Sequence, residues 1–187
     1  IDDLGFGDLG VFGQEQIKTP NIDLLAQTGI RFDNYYAGSS VGTPSQCTIF
    51  TGLHTGRCRL RGDSDNAALE ARDFTLAEMM FQSGYDKAVH GRWKLGGPQP
   101  YGMPIDQGFE ESYGYLSRDH ARNYFPNYLW RQDLREPIPG NQNNAREHFS
   151  LELVTDEAVE YIERRHWRPF FLTVLFAPPR NNLADVP

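Results

Sequence analysis

Three short clusters hold the residues able to do chemistry. Asp2 and Asp3 stand side by side at the end of an expected strand, at the head of the glycine-rich turn Leu4-Gly5-Phe6-Gly7-Asp8. Adjacent carboxylates repel each other, and a hard cation such as Ca²⁺ or Mg²⁺ between their oxygens resolves that repulsion. The commoner setting for such a pair is a solvated turn. The second cluster is Val41-Gly42-Thr43-Pro44-Ser45-Gln46, where a loop becomes a helix. The first N–H groups of a helix lie at the positive end of its dipole and can receive an anion, although an ordinary Thr-Pro helix start reads the same way. The third, His90-Gly91-Arg92-Trp93-Lys94-Leu95-Gly96-Gly97, sets two cations on a glycine-rich turn after an expected strand. Singly, Arg92 and Lys94 are surface charges. With a helix N-terminus they can converge on one anion, because ligands of doubly wound sheets bind outside the carboxyl ends of the strands.

The elements that must position these clusters follow from capping and periodicity. Thr19-Pro20 opens a helix that Gly29 stops, and Thr43-Pro44 repeats the signal with Gly52 as its stop. Thr75 with Glu78 three residues on is a capping box, which predicts a helix ending at Gly84. Residues 30–36 alternate as a strand does, 85–90 form a short strand, 155–165 a helix, and 170–176 a buried strand. Strands alternating with helices predict an α/β fold with a mostly parallel sheet and helices on both faces. Residues 91–150 are rich in Gly, Pro, Asn and Tyr and show little periodicity. So long an irregular stretch is expected to be a functional surface, with 97–150 as a long pocket-lining loop region. Its aromatics, Tyr124 and Phe125 among them, argue against a disordered insertion.

Composition narrows the classes. Eighteen Lys and Arg against 25 Asp and Glu give a net charge of −7 in 187 residues, a poor basis for a broad nucleic-acid-binding face. No apolar run approaches the roughly 20 residues of a membrane span. Two cysteines, Cys47 and Cys58, make neither a disulfide framework nor a four-ligand zinc site, and the sequence leaves open whether they bridge. The chain starts without Met and stops directly after an expected strand, which reads as a piece of something longer, truncated at both ends.

The order and spacing of the clusters resemble the type I sulfatase (arylsulfatase) family. The resemblance is carried by Asp2-Asp3-Leu4-Gly5-Phe6-Gly7-Asp8, Thr19-Pro20-Asn21-Ile22-Asp23 with Gly29, Thr43-Pro44-Ser45 with Thr51-Gly52, Gly91-Arg92-Trp93-Lys94-Leu95-Gly96, and the late strand at 170–179. It implies that the chain is one partial catalytic domain, 1–187, of alkaline-phosphatase-like fold. It also implies hydrolysis of aryl or carbohydrate sulfate esters by a formylglycine made from cysteine, with calcium or magnesium. By the same resemblance, Asp2 and Asp3 are the first metal ligands, further ligands lie beyond Pro187, and Gly42, Gln46, Arg92 and Lys94 occupy catalytic positions. Thr43, His120 and Arg180 fall at substrate-binding positions, His120 in a loop at the pocket mouth. The implied partner is a sulfated small molecule or glycan, and the implied location is periplasmic or extracellular.

The motif departs from the family pattern at four places. Gly42 has no side chain where the family has Cys or Ser, and Gln46 is neutral where it has Arg. Arg92 replaces a Lys, and Arg180 follows Pro179 where the family has His. Two alternatives to hydrolysis follow from the residues: an inactive homologue that binds sulfated glycans, and a phosphate or phosphonate monoester hydrolase in which Thr43 is the nucleophile.

Overall fold

The computed structural model describes residues 1, 4–62, 68–98 and 102–178. Helix α1 (Pro20–Thr28) has proline in its first turn. The Thr19 hydroxyl accepts from the Gly10 N–H at 2.9 Å and donates to Asp23 Oδ1 at 3.1 Å, and Asp23 also takes the Val11 N–H at 2.7 Å. The helix start thereby holds the preceding turn. Helix α2 (Gly42–Thr51) begins at Gly42, ahead of the Thr43-Pro44 signal. Pro44 sits in the first turn, where its missing N–H removes no helical bond. Helix α3 (Leu76–Gln82) opens on the reciprocal capping box: Thr75 Oγ1 accepts from the Glu78 N–H at 3.3 Å, and the Thr75 N–H donates to Glu78 Oε2 at 2.7 Å.

Five strands follow the expected and the unexpected parts of the sequence alike: β1 (Asp86–Arg92), β2 (Glu111–Tyr115), β3 (Tyr128–Arg131), β4 (Leu134–Pro137) and β5 (Phe170–Leu175), with helix α4 (Ser150–Arg165) before the last. Their order is β4-β3-β2-β1-β5. β2, β1 and β5 are parallel, and β3 and β4 are antiparallel additions at one side. β5 reads Phe-Phe-Leu-Thr-Val-Leu, the near-continuous apolar run of a parallel strand covered on both faces. Phe171 and Leu175 pack with Phe50, Val89, Trp93 and Phe109 on the α2–α3 side, whereas Val174 and Phe176 pack with Tyr113, Tyr115 and Val154 on the α4 side. The sheet is mostly parallel, with helices on both faces.

Two expectations are corrected. Residues 30–36 are not a strand: Phe32 and Tyr36 are 72 % and 82 % exposed, and Arg31 pairs locally with Asp33. Alternation describes a half-buried sheet face, and here no sheet edge lies beside the segment among the described residues. The stretch 91–150 is far more regular than its periodicity suggested, since it supplies β2, β3 and β4. These strands are only four or five residues long and carry Gly114 and Pro137, so no window shows a clean period of two. Pro137 is tolerated on β4 because an edge strand needs fewer donors.

Between β1 and β2, Gly91 and Gly114 face each other in register with φ of +105° and +140°. A Cβ on Gly91 would strike the Leu175 carbonyl, and one on Gly114 the backbone of Gly91. Glycine at both positions lets β5, β1 and β2 close up just where β1 delivers Arg92.

Candidate anion site at the carboxyl end of β1

The side chain of Gln46 joins two of the sequence clusters. Its Nε2 donates to the Arg92 carbonyl at 3.2 Å, and its Oε1 accepts from the Lys94 N–H at 3.3 Å. A primary amide suits this role, since it donates with one end and accepts with the other. α2 is thereby held against the turn that leaves β1. Gly42 opens α2 one turn before Gln46, and residues four apart share a helix face. The helix N-terminus, the neutral clamp and the two cation-bearing positions thus belong to one end of the sheet.

The four positions differ in access. Gly42, Gln46 and Lys94 are half-buried. Arg92 is 1 % exposed and shares a crevice with Tyr115, Ser150, Val154 and Phe176 under the start of α4. Thr43 is 4 % exposed inside the first turn of α2. Trp93, between the two cations, is a core residue: it packs on Phe50 and Phe109, and its Nε1 donates to the Gly102 carbonyl at 2.6 Å.

His120 lies beyond Tyr115, which pairs with Arg92 across the β1–β2 ladder. Its ring meets Tyr115 edge-on at 4.9 Å and stacks on Tyr128 at 4.4 Å. Its Nε2 is buried and has no hydrogen-bond partner among the described residues. Burial pushes the His120 pKa down to about 4, with the Arg135 charge acting in the same direction. At neutral pH His120 is an uncharged hydrogen-bonding group, so it adds no cation. Tyr115, whose hydroxyl donates to the Asn123 carbonyl at 2.7 Å, is a contributor that the sequence did not single out. Only the strand register brings it beside Arg92.

A larger cleft of about 530 Å³ opens at the other end of the sheet, lined by His90, Glu111, Arg131, Glu157 and Arg164 among others. Its cations are matched. Arg131 forms a two-bond pair with Glu157 at 2.9 and 2.7 Å, and Arg164 meets Glu111 at 2.9 Å. Arg131 holds the Glu157 carboxyl below its usual range, and Arg164 and Arg165 do the same for Glu111 against the opposing effect of burial. With Glu111, Glu157 and Glu160 against Arg131 and Arg164, the cleft offers no excess of positive charge to a sulfate group. His90, buried between the sheet and Tyr161, has its pKa lowered by burial and serves this side of the sheet.

Asp2, Asp3 and Arg180 lie outside the described residues. Among the described residues no group of three or more His, Cys, Asp or Glu side chains could hold a metal ion, and no helix is long and apolar enough to cross a membrane.

The comparisons with known proteins agree with the motif reading. A family model described as Sulfatase matches residues 1–179. N-acetylgalactosamine-6-sulfatase of Sus scrofa is 30% identical over 194 residues, covering 92% of this chain and 37% of that protein. Arylsulfatase G of Mus musculus is 31% identical over 216 residues, covering 100% of this chain and 41% of that protein. The crystal structure of Ps i-CgsB in complex with k-i-k-neocarrahexaose superposes with a TM-score of 0.76 at 23% identity, over 96% of this chain and 44% of that one. This last likeness speaks for the fold alone. The chain spans less than half the length of each of these relatives. With the sheet order, the motif spacing and the family match in hand, the chain belongs to the sulfatase family and has its alkaline-phosphatase-like fold.

Proposed function

We propose that the start of α2 and the turn 92–94 form a site for the sulfate group of an aryl or carbohydrate sulfate ester. The observation that carries this reading is the Gln46 clamp, which holds the N-terminal end of α2 and the Arg92–Lys94 turn together. An oxyanion placed there meets helix N–H donors and cations from the turn, a combination that favours a tetrahedral anion. Lys94, half-buried, is the cation an incoming ester meets first. Arg92 acts from below, in a dry setting where its field is weakly screened.

Binding, rather than hydrolysis, is what these residues support. Family hydrolysis needs an oxygen nucleophile at position 42, and glycine carries none. Thr43, the nucleophile of the alternative phosphate or phosphonate esterase reading, is 4 % exposed in the first turn of α2, which favours the sulfate-binding reading over it. The family's metal would supply charge at the sulfate oxygens. By the family resemblance Asp2 and Asp3, outside the described residues, would be among the ligands of that metal, and a calcium shell takes about 6–8 oxygens. A sulfated glycan as the natural ligand, and a periplasmic or extracellular location, are parts of the same proposal.

Titration of the chain with an aryl sulfate and an aryl phosphate, each followed for both binding and turnover, tests this. The expected result is sulfate binding that weakens with salt and no turnover of either ester. The pair G42C and Q46R, produced with a formylglycine-generating enzyme, should raise sulfate turnover above that of the parent chain. Turnover of aryl sulfate by the chain with glycine at 42 would overturn the binding reading. Absence of any sulfate binding at low salt would overturn the site itself.

A further inference from the structure

Cys47 on α2 and Cys58 in the loop after it are both free and both fully buried, at 0 % exposure. They belong to the same core cluster as Phe50, Leu69 and Trp93. The Cys58 thiol lies close enough to act on the charge of the Cys47 thiol, and Cys58 Sγ lies 3.2 Å from the Leu60 carbonyl oxygen. The turn at His54 presents Cys58, whose N–H donates to the His54 carbonyl at 3.0 Å.

Other uses of such a pair fit poorly. Two sulfurs are half of a structural zinc site, and the described residues near them supply no third or fourth ligand. As nucleophiles they are shielded from solvent, and burial raises the Cys47 thiol to about 11. As plain packing groups they would need no closeness between the sulfurs.

We propose that Cys47 and Cys58 are a cross-linking pair that closes into an intrachain disulfide when the chain folds under oxidising conditions. In that step the two thiols give up two protons and two electrons and an S–S bond forms between them. A low-molecular-weight disulfide such as oxidised glutathione accepts the electrons and leaves as two thiols. The exchange needs a thiolate, so it is slow in the packed chain and proceeds while the loop around Cys58 is still open. Once formed, the bond ties the middle of α2 to the following loop and braces the helix that begins at Gly42. This inference does not depend on what binds there.

The test refolds the chain with a reduced and oxidised glutathione mixture, denatures it, blocks remaining thiols with iodoacetamide and measures intact mass. The expected product is a monomer lighter by two hydrogen masses that takes up no alkyl group and reverts with dithiothreitol. Its melting temperature should exceed that of the reduced chain by about 5–10 °C, as a short closed loop in a chain of this size implies. Cys58→Ala, which keeps a small apolar group in the core, should leave one alkylatable thiol and show no redox-dependent shift. Two alkylated thiols after oxidative refolding, or cross-linked dimers in place of the monomer, would refute the pairing.

Discussion

Replacing Gln46 by Met removes the clamp while nearly preserving the side chain's volume, so the loss reports hydrogen bonds rather than a cavity. The structure gives two bonds to remove, of 3.2 and 3.3 Å, both partly buried. At about 0.5–1.5 kcal/mol net for each, Gln46→Met should cost on the order of 1–3 kcal/mol. For a chain of this length that lowers the melting temperature by about 2–12 °C. The freed Lys94 N–H keeps access to water because Lys94 is half-exposed, whereas the freed carbonyl belongs to Arg92, only 1 % exposed, which sets the cost toward the upper end of that range. With the turn released, Lys94 no longer holds a fixed place beside α2, and sulfate affinity should fall about fivefold, or about 1 kcal/mol. Thermal melting followed by circular dichroism reads the first effect, and calorimetric sulfate titration at low salt reads the second. If Gln46→Met melts with the parent chain and binds sulfate equally well, the clamp has no positional role and the site has been misplaced.

The two cations should separate by salt. Lys94→Gln is expected to remove most of the ionic-strength dependence of sulfate binding while weakening it only modestly, because the half-exposed Lys94 charge is screened by salt more than the buried Arg92 charge; an unchanged salt slope would contradict this. His120, whose pKa falls to about 4 from the ordinary 6.5, is neutral when folded and takes up a proton on unfolding below pH 6.5. Its contribution to stability is therefore complete above pH 6.5 and is lost progressively toward pH 4, up to about 3 kcal/mol. His120→Phe should flatten that acid limb in a pH series of urea melts, and an unaltered limb would place the sensitivity elsewhere, with His90 the next candidate. Gly91→Ala should destabilise by at least about 2 kcal/mol, since a side chain at φ +105° is strained and its Cβ meets the Leu175 carbonyl. Soluble, normally melting Gly91→Ala protein would show that β1 and β5 are less tightly apposed.

Much of the frame was legible from local signals. The Thr75–Glu78 box, the Thr19-Pro20 start, the period of α4 and the apolar run of β5 each specify their element through contacts within a few residues, and such contacts are written in adjacent letters. The motif spacing was legible for a similar reason, since Asp2-Asp3, Gly42 to Gln46 and Gly91 to Gly96 are short strings with recognisable chemistry. Residues 30–36 and β2 to β4 were misread because a strand is defined by its neighbour. Phe32 and Tyr36 alternate without a sheet edge beside them, whereas β2 and β3 gain theirs only from β1 and from each other. The site shows the same division. Sequence identifies Gln46, Arg92 and Lys94 as polar positions, and reads Gln46 only as a lost cation. Folding brings α2 and the β1 turn within hydrogen-bonding distance, and this makes Gln46 a two-ended clamp, buries Arg92 beside Tyr115, and leaves His120 uncharged between two tyrosine rings. Those properties depend on which groups surround a side chain and how much water reaches it, and chain neighbours do not determine either.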